Sequence, residues 1–332
     1  MKSSNVDSAL RAYWYPVVRE DLLGQEPIRV EICGEAVAVV RLDGRPAAMI
    51  DRCPHRDARL SDGTVVDGCL QCPYHGWLFA ADGACTLIPA LGPESAAVTR
   101  TPATSLATRV EHGLVWVALE EPRSELIEIP EWGDPELGVA WLPVVTIEAG
   151  AAQFVDNFLD FAHFPFVHAG TFGSDDDRLI GDYAVERITD GLRLRYEHLV
   201  NHHEDPGVAL GDRPLLQTRV MEYTWQLPFA ARLRLEYPLA GIRNTIVVWA
   251  VPETPTTTVL HTVLLRNDIA PGDEAAATRV ADYEMAVLAE DLRILERLPD
   301  AELELDPRAR MQTRADRLTV EFRRMLAAAL EA

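Results

Sequence analysis

Cysteine and histidine are concentrated in one short segment, residues 53 to 77, which reads CPHRDARLSDGTVVDGCLQCPYHGW. Cys53 and His55 form a C-x-H pair, and Cys72 and His75 form a C-x-x-H pair. Each pair begins with a Cys-Pro dipeptide, which is typical of a turn. The spacing predicts two loops that meet at their tips and hold a metal centre, with one thiolate and one imidazole from each loop.

Two kinds of metal centre are compatible with these donors. Two thiolates and two imidazoles suit tetrahedral zinc, so a structural zinc site is the alternative. The mixed spacing favours a binuclear iron–sulfur centre, in which one iron takes both sulfurs and the other takes both nitrogens. Cys69 forms a further C-x-x-C with Cys72, but His75 completes the set without it, so Cys69 is predicted not to be a ligand.

The whole pattern, C-x-H followed by C-x-x-H-G-W with Gly76 and Trp77, resembles the Rieske family. The resemblance implies a Rieske 2Fe-2S cluster that acts as a one-electron relay, because neutral imidazole in place of anionic thiolate makes the cluster easier to reduce. Respiratory-type Rieske proteins carry an extra cysteine pair in these loops, which Cys69 alone cannot supply. The resemblance is therefore to the oxygenase-type branch.

A helix is predicted over AAQFVDNFLDFAHFPFVH, residues 151 to 168, until Pro165 ends or kinks it, and a second group of metal-ligating residues lies in its part from 156 to 168. Asp160 and His163 are three residues apart and would share a helical face, and His168 follows. The alternative is that these are polar residues at a helix end. Two histidines with one carboxylate would form the facial triad of non-haem iron(II), which leaves positions open for oxygen and substrate.

Asp291 is the predicted carboxylate of this triad. It lies on the apolar stripe of the late helix VADYEMAVLAEDLRILERLP, and an acid on such a face is costly unless it is paired or bound to metal. Its neighbour Glu290 is predicted to point elsewhere. The alternative for Asp291 is an ion pair with a buried arginine.

With both motifs in place, the chain resembles the terminal oxygenase α subunit of the Rieske non-haem iron oxygenases. The resemblance implies that His163, His168 and Asp291 bind iron and that Asn157 lies behind these ligands. It also implies a homotrimer, in which Asp160 carries electrons from His75 of one subunit to His163 of the next. The branch that it resembles includes the dicamba and vanillate O-demethylase oxygenases, which favours monooxygenation of a small aromatic or cyclic substrate; cis-dihydroxylation of an arene is the alternative.

The sequence predicts an α+β chain with two domains. An N-terminal all-β Rieske domain is expected over residues 1–120, followed by an acidic, proline-bearing linker over 121–135. The remaining 136–332 is expected to form a catalytic domain with an antiparallel sheet, which the resemblance describes as a helix-grip fold. Two helices are predicted near the end, at about 273–298 and 314–330.

Charge and the missing motifs restrict the partners. The chain has 31 basic and 52 acidic residues, so nucleic acid and anionic membranes are disfavoured as partners. It has no secretory signal and no long apolar run, and a cytoplasmic location is expected. A dinucleotide-binding fingerprint is also absent from the sequence, so a separate NAD(P)H-dependent reductase, acting directly or through a ferredoxin, is expected to supply electrons.

Substrate contacts are expected from the sheet between Leu192 and Arg266, although ordinary strand packing is the alternative for each residue. The candidates are Tyr223, Trp225, Phe229, Tyr237, Trp249 and His261. The adjacent His202 and His203 are predicted to lie in a solvent-exposed loop. Two other functions are compatible with the first motif alone: a Rieske electron-transfer protein without oxygenase activity, and a zinc-stabilised binding module.

Overall fold

The computed structural model describes residues 1–92 and 102–331. The chain divides into two compact units. The smaller unit is Leu10–Glu125, and the larger unit combines Met1–Ala9 with Leu126–Ala332. The predicted α+β class is confirmed, since strands dominate the smaller unit and the larger unit combines an antiparallel sheet with helices.

The smaller unit contains a sheet whose strands are β2 (Tyr15–Arg19), β3 (Ile28–Ile32), β4 (Glu35–Leu42), β5 (Arg45–Ile50), β10 (Ser105–Glu111) and β11 (Leu114–Ala118). Their order across the sheet is β2-β11-β10-β5-β4-β3. Strands β4 and β5 form a hairpin around Asp43 and Gly44, whose φ angles are 47° and 77°. This is the left-handed conformation that two-residue hairpin turns require, and it explains the Asp-Gly pair in the sequence.

A second antiparallel sheet carries the cysteine and histidine loops of the smaller unit. Its strands are β6 (Thr64–Val66), β7 (Cys69–Gln71), β8 (Leu78–Phe79) and β9 (Cys85–Leu87). The side chains of Met49, Leu60 and Phe79 are fully buried and pack in one cluster with Cys53 and Cys72. The two cysteines are therefore held by the hydrophobic core of this unit.

The larger unit is organised around a long antiparallel sheet. Its strands are β12 (Gly138–Trp141), β13 (Val145–Ile147), β14 (Glu186–Ile188), β15 (Gly191–Asn201), β16 (Leu216–Gln226), β17 (Ala230–Tyr237), β18 (Ile242–Pro252) and β19 (Thr258–Arg266). Their order is β12-β19-β18-β17-β16-β15-β14, and β13 also pairs with β19. The terminal strand β1 (Lys2–Ser3) pairs with β20 (Leu303–Glu304) and ties the first residues to this unit.

The α-helices of the larger unit are α1 (Ala151–Leu159), α2 (Phe164–Val167), α3 (Pro206–Ala209), α4 (Glu274–Leu295) and α5 (Arg317–Leu330). Short 3₁₀ helices in the described residues are Ser8–Ala12, Glu20–Leu22, Pro89–Leu91, Asp175–Asp177, Pro307–Ala309 and Arg314–Asp316. The two helices predicted near the end of the chain correspond to α4 and α5. Within the described residues, none of the helices combines the length and apolar character needed to cross a membrane.

The segment from 151 to 168 differs from the predicted single helix. Helix α1 ends at Leu159, and Asp160 already has an extended backbone. Pro165 does not end that helix; it lies in the first turn of α2, where its missing N–H costs nothing. Asp160 and His163 therefore do not share a helical face, although the bend between α1 and α2 still places them side by side.

Two candidate metal centres and a pocket

On the loops after β5 and β7, the two cysteine thiols are buried and the two histidine rings are exposed to solvent. Cys53 and Cys72 are each 2% exposed. His55 and His75 are exposed, and their ring centroids lie 4.6 Å apart. The structure thus brings together the four residues predicted from the sequence, with one cysteine and one histidine from each loop.

Backbone hydrogen bonds give the two loops their shape. The N–H of Asp57 donates to the carbonyl of Cys53 at 2.9 Å, and the N–H of Gly76 donates to that of Cys72 at 3.0 Å. Gly76 has a φ of 70°, which favours glycine at that turn. The Trp77 ring stacks on the His55 ring at 4.5 Å and joins one loop to the other. The G-W that follows His75 is therefore part of the loop architecture.

The chemistry of these donors fits a metal cluster. Burial raises the pKa of the Cys53 thiol to about 11, and the neighbouring Cys72 acts in the same direction. A bound metal reverses this preference because it deprotonates a coordinating thiol outright. Cys69 lies in β7, where its Sγ accepts a hydrogen bond from Thr86 Oγ1 at 3.5 Å, so it is not part of either loop tip.

The larger unit holds a second group of metal-ligating side chains, formed by His163, His168 and Asp291 and called here the triad. The two Nε2 atoms are 3.1 Å apart, and each is 3.4 Å from Asp291 Oδ1. Within the described residues, the three ligand atoms of the triad lie close enough together to hold a single metal ion. It joins the loop after α1, the end of α2 and the C-terminal part of α4.

Asp291, the predicted third ligand, lies beside both histidines of the triad. Its Oδ1 is buried and makes no hydrogen bond in the described part of the chain. Burial raises the pKa of Asp291, but the two histidines outweigh it and hold the pKa at about 2. Among the described residues, no arginine lies within ion-pair distance of Asp291, so the alternative of an arginine partner is not supported. A buried carboxylate oxygen that has no hydrogen bond and lies beside two imidazole nitrogens is suited to bind a cation.

A carboxylate lies behind each histidine of the triad. His163 Nδ1 is 3.4 Å from Asp160 Oδ2, and His168 Nδ1 is 3.0 Å from Glu290 Oε2. Each Nδ1 can therefore carry the proton, which leaves both Nε2 lone pairs free for a metal. Burial lowers the pKa of His163, yet Asp160 and Asp291 outweigh burial and raise it to about 9. The electrostatic surroundings of the triad thus favour positive charge.

Glu290 corrects the sequence prediction, which had it pointing away from the site. Its Oε2 also accepts a hydrogen bond from Thr171 Oγ1 at 2.7 Å. Adjacent helical residues differ by about 100° in direction, but a glutamate is long enough to reach His168 from the flank of α4. Sequence reasoning missed both Glu290 and Thr171, and the only signal was that Glu290 adjoins the predicted ligand.

A pocket opens from the triad along the large sheet and encloses about 980 Å³ of empty space, including the part open to solvent. Aromatic side chains of Phe158, Phe164 and Phe172 line it near the triad, and Asn157 also contributes. Such a mostly apolar pocket with a few polar groups is typical of small-molecule sites. Tyr223, which was predicted to contact substrate, lies in its wall.

Phe229, Trp249 and His261 do not line this pocket, which differs from the prediction. On β18 and β19 the lining residues are even-numbered, for example Val248 and Thr262, which pair directly with each other. Successive side chains of a strand point to opposite faces, so Trp249 and His261 lie on the other face of the sheet. Of the further aromatic candidates, Tyr237 lines the pocket, whereas Trp225 packs on Phe322.

His202 is also different from its prediction as a solvent-exposed residue. It is 3% exposed, lines the pocket and stacks on the Tyr237 ring at 3.9 Å. Its neighbour His203 is exposed, as predicted. The chain turns after β15, so that one of the two adjacent histidines faces inward and the other faces solvent.

Comparison with known proteins matches two family models to the chain. Residues 13–108 match the Rieske [2Fe-2S] domain, and residues 147–332 match the vanillate O-demethylase oxygenase C-terminal domain. A curated relative, methylxanthine N1-demethylase NdmA of Pseudomonas putida, is 28% identical over 326 residues, which cover 96% of this chain and 88% of the relative.

Solved structures show the same architecture. The structure of Pseudomonas putida CBB5 NdmA with caffeine has a TM-score of 0.85 at 26% identity and covers 99% of this chain and 93% of that one. Dicamba monooxygenase bound to 3,6-dichlorosalicylic acid has a TM-score of 0.82 and covers 99% and 98%, and at 20% identity this likeness shows the fold alone.

The pair of domains determines the cofactors. Oxygenases with a Rieske domain and this C-terminal domain use a Rieske 2Fe-2S cluster, a mononuclear iron and O₂, and they take electrons from a separate reductase. The oxygenase domain matches more than half of the chain, so a Rieske protein that only transfers electrons and a zinc-stabilised module are both excluded. The chain belongs to the Rieske non-haem iron oxygenases, as an α subunit with a catalytic domain of the vanillate O-demethylase oxygenase type.

Proposed function

We propose that Cys53, His55, Cys72 and His75 hold the Rieske cluster. The buried cysteines would ligate one iron and the exposed histidines the other. In this arrangement His55 and His75 would lie between the cluster and the surface of the unit. Electrons would therefore enter and leave the cluster through His55 and His75.

The triad of His163, His168 and Asp291 would hold the mononuclear iron(II), which supplies O₂ activation when it is bound. Asp160 and Glu290 keep the protons on the two Nδ1 atoms and direct the Nε2 lone pairs toward the metal. Phe158, Phe164 and Phe172 present apolar surface beside the triad and exclude water from the reacting carbon.

The reaction would be monooxygenation of an N-methyl or O-methyl group on a small cyclic molecule. The single observation that carries this proposal is a two-histidine, one-carboxylate site at one end of a largely apolar pocket. In the balanced reaction, R–X–CH₃, O₂, two electrons and two protons give R–XH, formaldehyde and water. One oxygen atom enters the methyl C–H bond, and the hydroxymethyl product then loses formaldehyde. The name of the N-demethylase relative supports this chemistry.

A homotrimer is proposed as the working assembly. The side chain of Asp160 is 33% exposed while its Oδ2 reaches His163, so it could also accept a hydrogen bond from His75 of a neighbouring subunit. Electrons would cross between subunits at that point. The reductase, with or without a ferredoxin, would act in the cytoplasm.

Turnover tests the proposal. The loaded oxygenase, a surrogate reductase with ferredoxin and NADH would be offered a panel of cyclic N-methyl and O-methyl compounds. Formaldehyde formed in proportion to NADH consumed is expected, and a His163→Ala variant should form none. A cis-diol from any panel member, without formaldehyde from the others, would support the dihydroxylation alternative instead.

A further inference from the structure

The pocket continues from the triad along helix α4. Glu284 and Asp291 are both on this helix and both line the pocket. Seven residues correspond to two turns, so the two carboxylates share a face and lie about 10 Å apart along the helix axis. Glu284 therefore belongs to a part of the pocket well separated from the reacting centre.

The chain gives Glu284 little compensation for its charge. Its Oε1 accepts one long hydrogen bond, from Asn244 Nδ2 at 3.4 Å. Among the described residues, no arginine, lysine or histidine forms an ion pair with it, and Arg266 is already held by Glu204 and Asp268 at 2.8–3.2 Å. Burial raises the pKa of Glu284 to about 7 and Glu204 acts in the same direction, against the weaker opposing effect of Arg266, Arg219 and the Asn244 hydrogen bond. In the described part of the chain, Glu284 therefore has no ion-pair partner and only one long hydrogen bond.

His202 offers a second acceptor in the same pocket. Gln217 Nε2 donates to Asp205 Oδ2 at 2.8 Å and to the carbonyl of Pro214 at 2.9 Å, so Gln217 Oε1 is the acceptor of that amide. His202 Nδ1, 3.3 Å from Oε1, must then carry the proton. Burial lowers the pKa of His202 and keeps the ring neutral. Its Nε2 is consequently a buried lone pair, and it has no partner in the described chain.

Arg219 also lines the pocket, and its positive charge could instead favour an anionic ligand. Its Nε donates to His198 Nε2 at 2.9 Å, and His198 Nδ1 lies 3.3 Å from Asp177 Oδ2. Its guanidinium group also lies over the Phe172 ring at 4.3 Å. Arg219 is thus linked through a histidine to a carboxylate. Among the described residues, Glu284 has no ion-pair partner and His202 Nε2 has no hydrogen-bond partner.

We infer that Glu284 and His202, called here the acceptor end, bind a nitrogen of the substrate that carries a proton, and most strongly a protonated amine. The inference rests on the proposed function and specifies its substrate class: a small cyclic compound with the reacting methyl group at one end and a basic nitrogen at the other. A carboxylate-to-ammonium hydrogen bond is charge-assisted and strong in a pocket of low polarity. It would hold the methyl group toward the triad.

Binding of matched probes tests the acceptor end without requiring turnover. Isothermal titration calorimetry with the loaded oxygenase at pH 8 would compare 4-methoxybenzylamine, 4-methoxytoluene and 4-methoxybenzoate. The amine is expected to bind at least about tenfold more tightly than either of the others, as a charge-assisted contact of this kind allows. In Glu284→Gln that preference should fall below about threefold.

Glu296→Gln is the matched control, since Glu296 is exposed at the end of the same helix and should leave the ranking unchanged. Tighter binding of the benzoate, no measurable amine binding, or an amine preference that persists in Glu284→Gln would overturn the inference. If Glu284→Gln does not fold, the ranking in the unmodified protein decides. Amine binding without formaldehyde from any probe would count against demethylation only, and formaldehyde without an amine preference would count against the acceptor end only.

Discussion

The cluster loops and the triad present their histidines in opposite ways. In the loops, His55 and His75 are exposed while the two cysteines lie in the hydrophobic core. In the triad, His168 is 2% exposed and its Nδ1 lies 3.0 Å from Glu290, whose side chain is 13% exposed. An electron relay needs its ligands near the surface, because electrons must arrive from another protein. A site that activates oxygen needs its ligands enclosed, because water competes with substrate.

The two sites also differ in how the chain builds them. The proposed cluster ligands lie within 23 consecutive residues, from Cys53 to His75, on the loop that joins β5 to β6 and on the loop that joins β7 to β8. The triad joins residues from 163 to 291, and only the folded sheet and helix α4 bring them together. Loss of a cluster ligand should therefore affect the cluster and leave the triad intact. At the triad, the loss of iron and activity should be larger the more directly the substituted residue contacts the metal.

The largest effect is expected from Cys72→Ser. Serine is a poor ligand for the cluster, so the variant should lose about two irons per chain, its red-brown absorbance and all turnover. The iron of the triad should remain, because it is held by the other unit. Metal analysis and the EPR spectrum of the reduced protein measure this. Cys69→Ser is the matched control and should keep the cluster, and loss of the cluster in that variant as well would contradict the assignment of Cys69 as a non-ligand.

His163→Ala should produce the reverse result. The triad would lose one of its three ligands, so the variant should lose about one iron per chain and its product formation while it keeps the Rieske EPR signal. Treatment of the unmodified protein with a mild chelator should reach the same state, because the side chains of His163 and Asp291 remain 14% and 15% exposed. Disappearance of the Rieske signal in His163→Ala would show that the two sites are not independent.

The same contrast explains what could be predicted from the sequence. The cluster residues and the two late helices were visible because their signals are local: fixed spacing, turn residues and an apolar stripe. The end of α1 was not visible, since the sequence before His163 remains apolar and Asp160 can cap a helix as well as continue one. Glu290 was missed because its role depends on a histidine that is 122 positions away.

The lining of the pocket was the least predictable feature. Strand β18 is buried along nearly its whole length, so its sequence does not alternate between apolar and polar residues. Without alternation, the choice between Val248 and Trp249 as the inward residue depends on pairing across the sheet. The same holds for His202, which looks like a loop residue by composition but is buried by its stack on Tyr237.

Asp160→Asn is expected to cause an intermediate effect. The amide keeps the shape of Asp160 but loses the charge that faces His163 Nδ1 and any partner at the surface of the unit. Both metals should remain, while steady-state turnover falls about 10- to 100-fold, as is typical when a carboxylate behind a metal-bound histidine is removed. Stopped-flow oxidation of the reduced cluster should slow by the same factor. Slow turnover with normally fast cluster oxidation would rule out the role in electron transfer.

Glu290→Gln should give the smallest effect. The glutamine still offers an oxygen to His168 Nδ1 and can accept from Thr171, so the ring keeps its orientation and loses only the negative charge behind it. A drop in iron affinity of about tenfold is expected, measured by competition with a chelator, with the cluster unaffected. Thr171→Ala should weaken iron binding less, because it removes one hydrogen bond and no charge. If Thr171→Ala proved the more damaging of the two, the orientation of Glu290 rather than its charge would be what supports His168.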